Sequence, residues 1–120
     1  MRFKKIEEGI VDTQTGLIWK SEDEPGEYTF DEAIEYTKNT DWRLPTIAEL
    51  SSILDRTKHN PASDPIFNMR SSFYWSSSQH ANSSGGAWYV VFNDGYVNYS
   101  GRNHDGHVRL VRSMEKKNQI

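Results

Sequence analysis

Asp94-Gly95 lies between two runs that mix apolar and polar residues, Trp88–Asn93 and Tyr96–Arg102. No other feature limits the fold so tightly. Asp-Gly suits a two-residue hairpin turn, because both central positions of that turn need positive φ. A hairpin sets the register, and the register decides which side chains share a face. With Asp94-Gly95 as the loop, Asn93 faces Tyr96, Phe92 faces Val97, Val91 faces Asn98, Val90 faces Tyr99 and Tyr89 faces Ser100. One face then carries Trp88, Val90, Phe92, Val97 and Tyr99, a set suited to a core. The other carries Tyr89, Val91, Asn93, Tyr96, Asn98, Ser100 and Arg102, and is left free. Phe73–Ser77 reads as a further strand, Gln79–Gly86 as a loop, Asn103–Gly106 as a turn and Val108–Arg112 as the closing strand.

Composition says what the free face is for. Between Ser76 and His107, 23 of 32 residues are Ser, Gly, Asn, His, Tyr or Asp. No Lys occurs between Lys58 and Lys116, and no Glu between Glu49 and Glu115. Ordinary solvated strands lean on both. Recognition surfaces are poor in Lys and Glu, and Tyr with Ser, Gly and Asn supplies contact area and adaptable hydrogen bonds at low entropic cost. The stretch reads as a surface made to touch a ligand.

The first half reads as a frame. Gly9–Asp12 and Leu17–Lys20 flank Thr13–Gly16 as a second hairpin. Thr29 and Glu32 form a capping box, and Phe30, Ala33, Ile34 and Thr37 share one face of a helix ending near Asn39. Thr46 and Glu49 form another, opening a short helix with Ile47, Leu50, Ile53 and Leu54 as its apolar stripe. The 55–65 segment is a loop with two prolines, and Ile66, Phe67 and Met69 tuck under the sheet. The expected class is α+β in one domain over 1–120, with its core in 9–113.

Several classes fall away. A net charge of −3 gives no support for nucleic-acid binding. The absence of cysteine removes disulfides, thiolate metal sites and a cysteine nucleophile. No apolar run reaches the roughly 20 residues of a membrane span. Met1–Gly9 lacks the apolar region of a signal peptide, so arrival at a virion or cell surface is expected by another route. His104-Asp105-Gly106-His107 spaces two imidazoles as a metal-binding helix would, but Gly106 makes it a turn. Neither a metal, nor a cofactor, nor a catalytic set is expected. Arg43, Arg109 and Arg112 sit in framework segments and are expected to make buried charge-assisted hydrogen bonds to Asp or backbone carbonyls.

Five segments in order resemble one family: Val11-Asp12-x-x-Thr15-Gly16-Leu17-x-Trp19, Trp42-Arg43-Leu44-Pro45-Thr46-x-x-Glu49-Leu50, Tyr74-Trp75-Ser76-Ser77-Ser78, Ala87-Trp88-Tyr89-Val90-x-Phe92-x-x-Gly95, and Val108–Arg112. The chain is similar to the Lcl C-terminal-like domains over about residues 9–113. That resemblance implies a C-type-lectin-like fold, two short helices packed on a twisted, mainly antiparallel sheet. Many members carry a pair of cysteines, one at the position Leu110 holds here. It also points to the variable proteins of diversity-generating retroelements, in which adenine-directed mutagenesis rewrites chosen codons near the C-terminus. The implied ligand-binding residues are His80, Asn82, Tyr89, Asn93, Tyr96, Asn98, Ser100, Arg102, Asn103, His104, Asp105 and His107, with a protein or glycan as partner. A glycan-binding adhesin domain and a self-associating structural subunit are the alternatives. Phe92-Asn93-Asp94 resembles the ligand segment of calcium-dependent lectins, but no Glu-Pro-Asn or Gln-Pro-Asp partner accompanies it, and a turn explains it.

Overall fold

The computed structural model describes residues 2–79 and 86–114. It is an α+β structure with seven strands: β1 (Phe3–Ile6), β2 (Gly9–Asp12), β3 (Leu17–Trp19), β4 (Phe73–Gln79), β5 (Gly86–Val91), β6 (Tyr96–Gly101) and β7 (Val111–Ser113). They form two antiparallel sheets, ordered β1-β2-β3-β7 and β4-β5-β6. The first sheet joins both ends of the described chain, since β7 returns to pair with β3. The single sheet expected from sequence is therefore two.

The β2–β3 hairpin forms as expected, with Ile10 opposite Trp19. Gly16 closes it at φ 77°, donating its N–H to the Asp12 carbonyl at 2.8 Å. Strand β1 was not expected. Its two middle residues are exposed lysines, which leaves only Phe3, buried, and Ile6, half-buried, as apolar signals. Arg2 pins it by a two-bond contact to the buried Asp12 carboxylate, at 3.0 and 2.9 Å. Burial works against the Asp12 charge, but Arg2 and the Gln14 N–H outweigh it and hold the carboxyl below its usual range.

Both capping boxes are present. Helix α1 (Phe30–Thr37) starts at the Thr29 cap and buries Phe30 and Ala33. Helix α2 (Ile47–Ser51) starts at the Thr46 cap and is barely more than one turn. Glu49 serves twice there. It accepts the Thr46 N–H at 2.9 Å and binds Arg43 at 2.7 and 2.9 Å. The Arg43 guanidinium accordingly lowers the Glu49 carboxyl pKa.

Two apolar clusters lie on opposite sides of β4. Tyr74 joins Trp19, Leu50, Phe67, Val90 and Phe92 on one side. Its neighbour Trp75 joins Phe30, Leu44, Ala87, Val108 and Leu110 on the other. Alternating side chains of one strand thus feed both clusters. Of the two edge strands of this sheet, β4 is met along its outer side by the main chain of His107, and β6 stands at the other margin.

The hairpin register differs from expectation by two residues. Val91 pairs with Tyr96 and Tyr89 with Asn98, so the connection is Phe92–Gly95 rather than Asp94-Gly95 alone. Phe92 is the cause. Its side chain is fully buried. Its N–H goes to the Ser72 carbonyl at 2.8 Å and its carbonyl accepts the Ala62 N–H at 2.7 Å. Committed to that side, it cannot pair with Val97. Gly95, at φ 85°, supplies the left-handed residue that ends the turn. Because the shift is an even number, every β6 side chain keeps its expected face.

Arg109 is 1 % exposed. It binds Asp23 at 3.0 Å and the carbonyls of Lys20 and Phe67 at 3.2 and 2.8 Å. Tyr74 donates its hydroxyl to the same Asp23 at 2.8 Å. Burial and the Asp23 charge push the phenol pKa well up. Arg109 thus takes the role expected of it, whereas Arg43 is only part-buried and its carboxylate partner is Glu49. Arg112 differs: its guanidinium lies over the Trp42 ring, 4.8 Å from the centroid.

Candidate functional site

The surface follows β6 and the two turns that bracket it. Tyr96, Asn98 and Ser100 alternate along one face of the strand. Tyr96 is 56 % exposed. Asn98 turns its side-chain oxygen onto the Tyr99 N–H at 2.8 Å. Before the strand, Asn93 and Asp94 are exposed in the turn, and the Asn93 carbonyl is held by the Asn60 N–H at 2.8 Å. Arg56 braces the same turn by donating to the Gly95 carbonyl at 3.0 Å. After the strand, Asn103, His104 and Asp105 form a second exposed turn. A strand of this length spans roughly 20 Å, so the two turns stand at opposite ends of one narrow strip.

Three residues assigned to this surface from sequence sit elsewhere. Tyr89 is half-buried, its ring 5.0 Å from Phe73 and 6.0 Å from Trp75. The face it shares with Tyr96 is covered at β5 and opens only at β6. Arg102 is a tie rather than a free cation. It pairs with Asp31 at 2.7 Å, lies 4.8 Å from the Phe30 ring centroid, and accepts the Phe30 N–H on its carbonyl at 3.0 Å. It thereby fixes the end of β6 to the start of α1. His107 is half-buried against Tyr74, and its main chain bonds to β4 through Phe73 and Trp75 at 3.0 Å each. His80 and Asn82 lie outside the described residues.

Sequence reading missed one member. Tyr99 falls on the face assigned to the core, yet it is 44 % exposed, with its ring 5.1 Å from Trp88. The margin position of β6 explains this, since an edge strand lacks a neighbour to complete the cover on either face. The available signal was the run Asn98–Asn103, which holds no aliphatic residue to continue a core stripe.

The strip carries little charge. Between Ser71 and Val108 the described acidic or basic side chains, histidine aside, are Asp94, Arg102 and Asp105, and Arg102 is paired. Among the described residues no group of three His, Cys, Asp or Glu side chains is placed to hold a metal ion. Hollows of about 620 Å³, beside Trp42 and Arg112, and 440 Å³, beside His59 and Met69, lie away from β6. What the strip offers is the exposed Tyr96, Tyr99, Asn93 and Asn103 with the half-buried Asn98 and Ser100 between them, an open arrangement rather than one that encloses a small molecule.

Compared with known protein families, residues 8–112 match the Lcl C-terminal domain. The chain belongs to the Lcl C-terminal domain family. The match takes in both helices and strands β2 to β6, ends within β7, and leaves β1 outside. A comparison with curated proteins gave no match. Within this Lcl C-terminal domain, among the described residues, no helix is long and apolar enough to cross a membrane.

Proposed function

We propose that this Lcl C-terminal domain is a non-enzymatic ligand-binding module that presents a diversified strip, as the variable protein of a diversity-generating retroelement. One observation carries the reading. Asn93, Tyr96, Asn98, Ser100 and Asn103–Asp105 belong to neither apolar cluster, while Phe92 and Val97 pack into the core and Arg102 and His107 tie the strand to α1 and β4. Such an arrangement accepts substitution at small cost, because surface changes away from core, caps and ion pairs alter stability by about 0.5 kcal/mol or less each. Two short helices with mainly antiparallel strands support a C-type-lectin-like fold. The shallow strip, whose exposed charges are the carboxylates Asp94 and Asp105, favours a protein or glycan as ligand over nucleic acid, which is met by Lys and Arg.

A displayed library randomised at Asn93, Tyr96, Asn98, Ser100, Asn103, His104 and Asp105 tests this. Most clones are expected to fold, and selection against unrelated protein targets is expected to return different binders for each target. Recovery of parental residues alone at these positions, with or without a target, would show that they serve the fold or one fixed ligand.

A further inference from the structure

Two cations meet the ring of Trp42, and one of them has a carboxylate to answer it. Lys20 Nζ lies 5.4 Å from the ring centroid and pairs with Glu24 at 3.3 Å. The Arg112 guanidinium lies 4.8 Å from the same centroid. Among the described residues its side chain makes neither a hydrogen bond nor an ion pair. The group is nonetheless well placed. Residue 112 is fixed in β7 opposite Ile18, and its side chain is half-buried. Contact with a ring orients a guanidinium but uses none of its N–H donors, which lie in its own plane.

Arg112 and Trp42 line the hollow of about 620 Å³ together with Thr37, Asp41 and Arg43. Arg43 is taken up by Glu49 through two bonds. Thr37 donates its hydroxyl to the Ile34 carbonyl at 3.0 Å, which leaves the oxygen as an acceptor. Asp41 is exposed, accepts only, and makes no ion pair among the described residues. The hollow therefore offers one oriented cation and a set of acceptors.

We propose that this hollow is a second binding site, separate from the β6 strip, for a ligand with a single carboxylate flanked by O–H or N–H donors. The carboxylate meets the Arg112 fork, whose parallel N–H groups match its two oxygens. The donors meet Thr37 and Asp41, and the body of the ligand lies along Trp42. A sugar acid and the C-terminal end of a peptide share this chemistry. Asp41 sets a limit, because its charge at the rim repels a second negative charge and so disfavours a dianion such as sulfate. One fork and one ring make a weak site, with a dissociation constant on the order of 1–10 mM. This goes beyond the reading of the strip and stands without it.

Two-dimensional NMR of the full chain at constant ionic strength tests it through the Arg112 Nε–H and Trp42 Nε1–H signals. The acid probes are D-glucuronate and N-acetylglycine, and their neutral counterparts are glucose and N-acetylglycine amide. Saturable shifts of both signals are expected with at least one acid and with neither neutral probe. The acid that binds more tightly tells a sugar source from a peptide source. Arg112→Lys keeps the charge but loses the fork, and is expected to weaken binding about fivefold or more. Arg112→Gln is expected to abolish it at the Trp42 signal, with the rest of the spectrum reporting the fold. The proposal is overturned if neither acid shifts the signals at about 50 mM, or if the neutral probes shift them equally. It is also overturned if sulfate binds as tightly as the better acid, or if either Arg112 variant binds as the parent does.

Discussion

Arg109→Leu is expected to lower the unfolding free energy by about 3–5 kcal/mol, the usual cost of breaking a buried ion pair from one side. Arg109 is a buried cation with three partners: the Asp23 carboxylate, the Lys20 carbonyl and the Phe67 carbonyl. Leucine fills part of the volume and satisfies none of them. Asp23 is left with Arg70 at 3.3 Å and the Tyr74 hydroxyl, and Arg70 is too exposed to replace a buried guanidinium. Native stabilities are only about 5–15 kcal/mol, so a large part of the total is lost. Thermal melting should show a fall on the order of 10 °C or more. The double variant Asp23→Leu, Arg109→Leu is expected to regain part of the loss, because no unpaired buried charge remains. A change below about 1 kcal/mol in Arg109→Leu would show that this network does not hold β3, β4 and the 3-10 turn at Pro65–Phe67 together.

Gly9→Ala should be nearly as damaging for a different reason. A Cβ at Gly9 would lie 2.1 Å from the Trp19 carbonyl oxygen. That oxygen belongs to main chain between β2 and β7, so it has no side-chain freedom with which to yield. Overpacking against movable side chains costs about 1–3 kcal/mol, and a fixed backbone atom puts this case at about 3 kcal/mol. Gly16→Ala separates the two ways a glycine matters. Gly16 has positive φ but nothing within 4 Å of its would-be Cβ, so only the left-handed penalty of about 1–2 kcal/mol applies. Equal melting temperatures for the two variants would mean that the first sheet has room to move at Gly9.

What sequence could reveal follows from the range of the interactions involved. Capping is local, so Thr29 with Glu32 and Thr46 with Glu49 were readable as written. Arg43 finds Glu49 only six residues on, whereas Arg109 finds Asp23, Lys20 and Phe67 far along the chain. The rule that a buried cation needs acceptors was readable; the identity of those acceptors was not. The hairpin register depends instead on Phe92, whose partners Ser72 and Ala62 are remote in sequence. No turn rule registers such a pull. The free face was overestimated for a similar reason. Alternation at Tyr89 and Asn98 marks two faces, but it cannot say that Phe73 and Trp75 cover the second face at β5. Arg102 and His107 look like ligand residues by composition, and only the packing of α1 and β4 shows that they hold the strip in place. Tyr99 is the reverse case, an aromatic on a core parity that the edge leaves exposed.

The division between a changeable strip and the residues that hold it is the claim most open to a direct measurement: sequencing this gene in many copies from related genomes. Differences are expected to concentrate in adenine-containing codons at Asn93, Tyr96, Asn98, Ser100 and Asn103–Asp105. Tyr89, Arg102 and His107 should be spared along with Trp75 and Phe92. Differences spread evenly along the chain, or gathered on Tyr89, Arg102 and His107, would contradict the account.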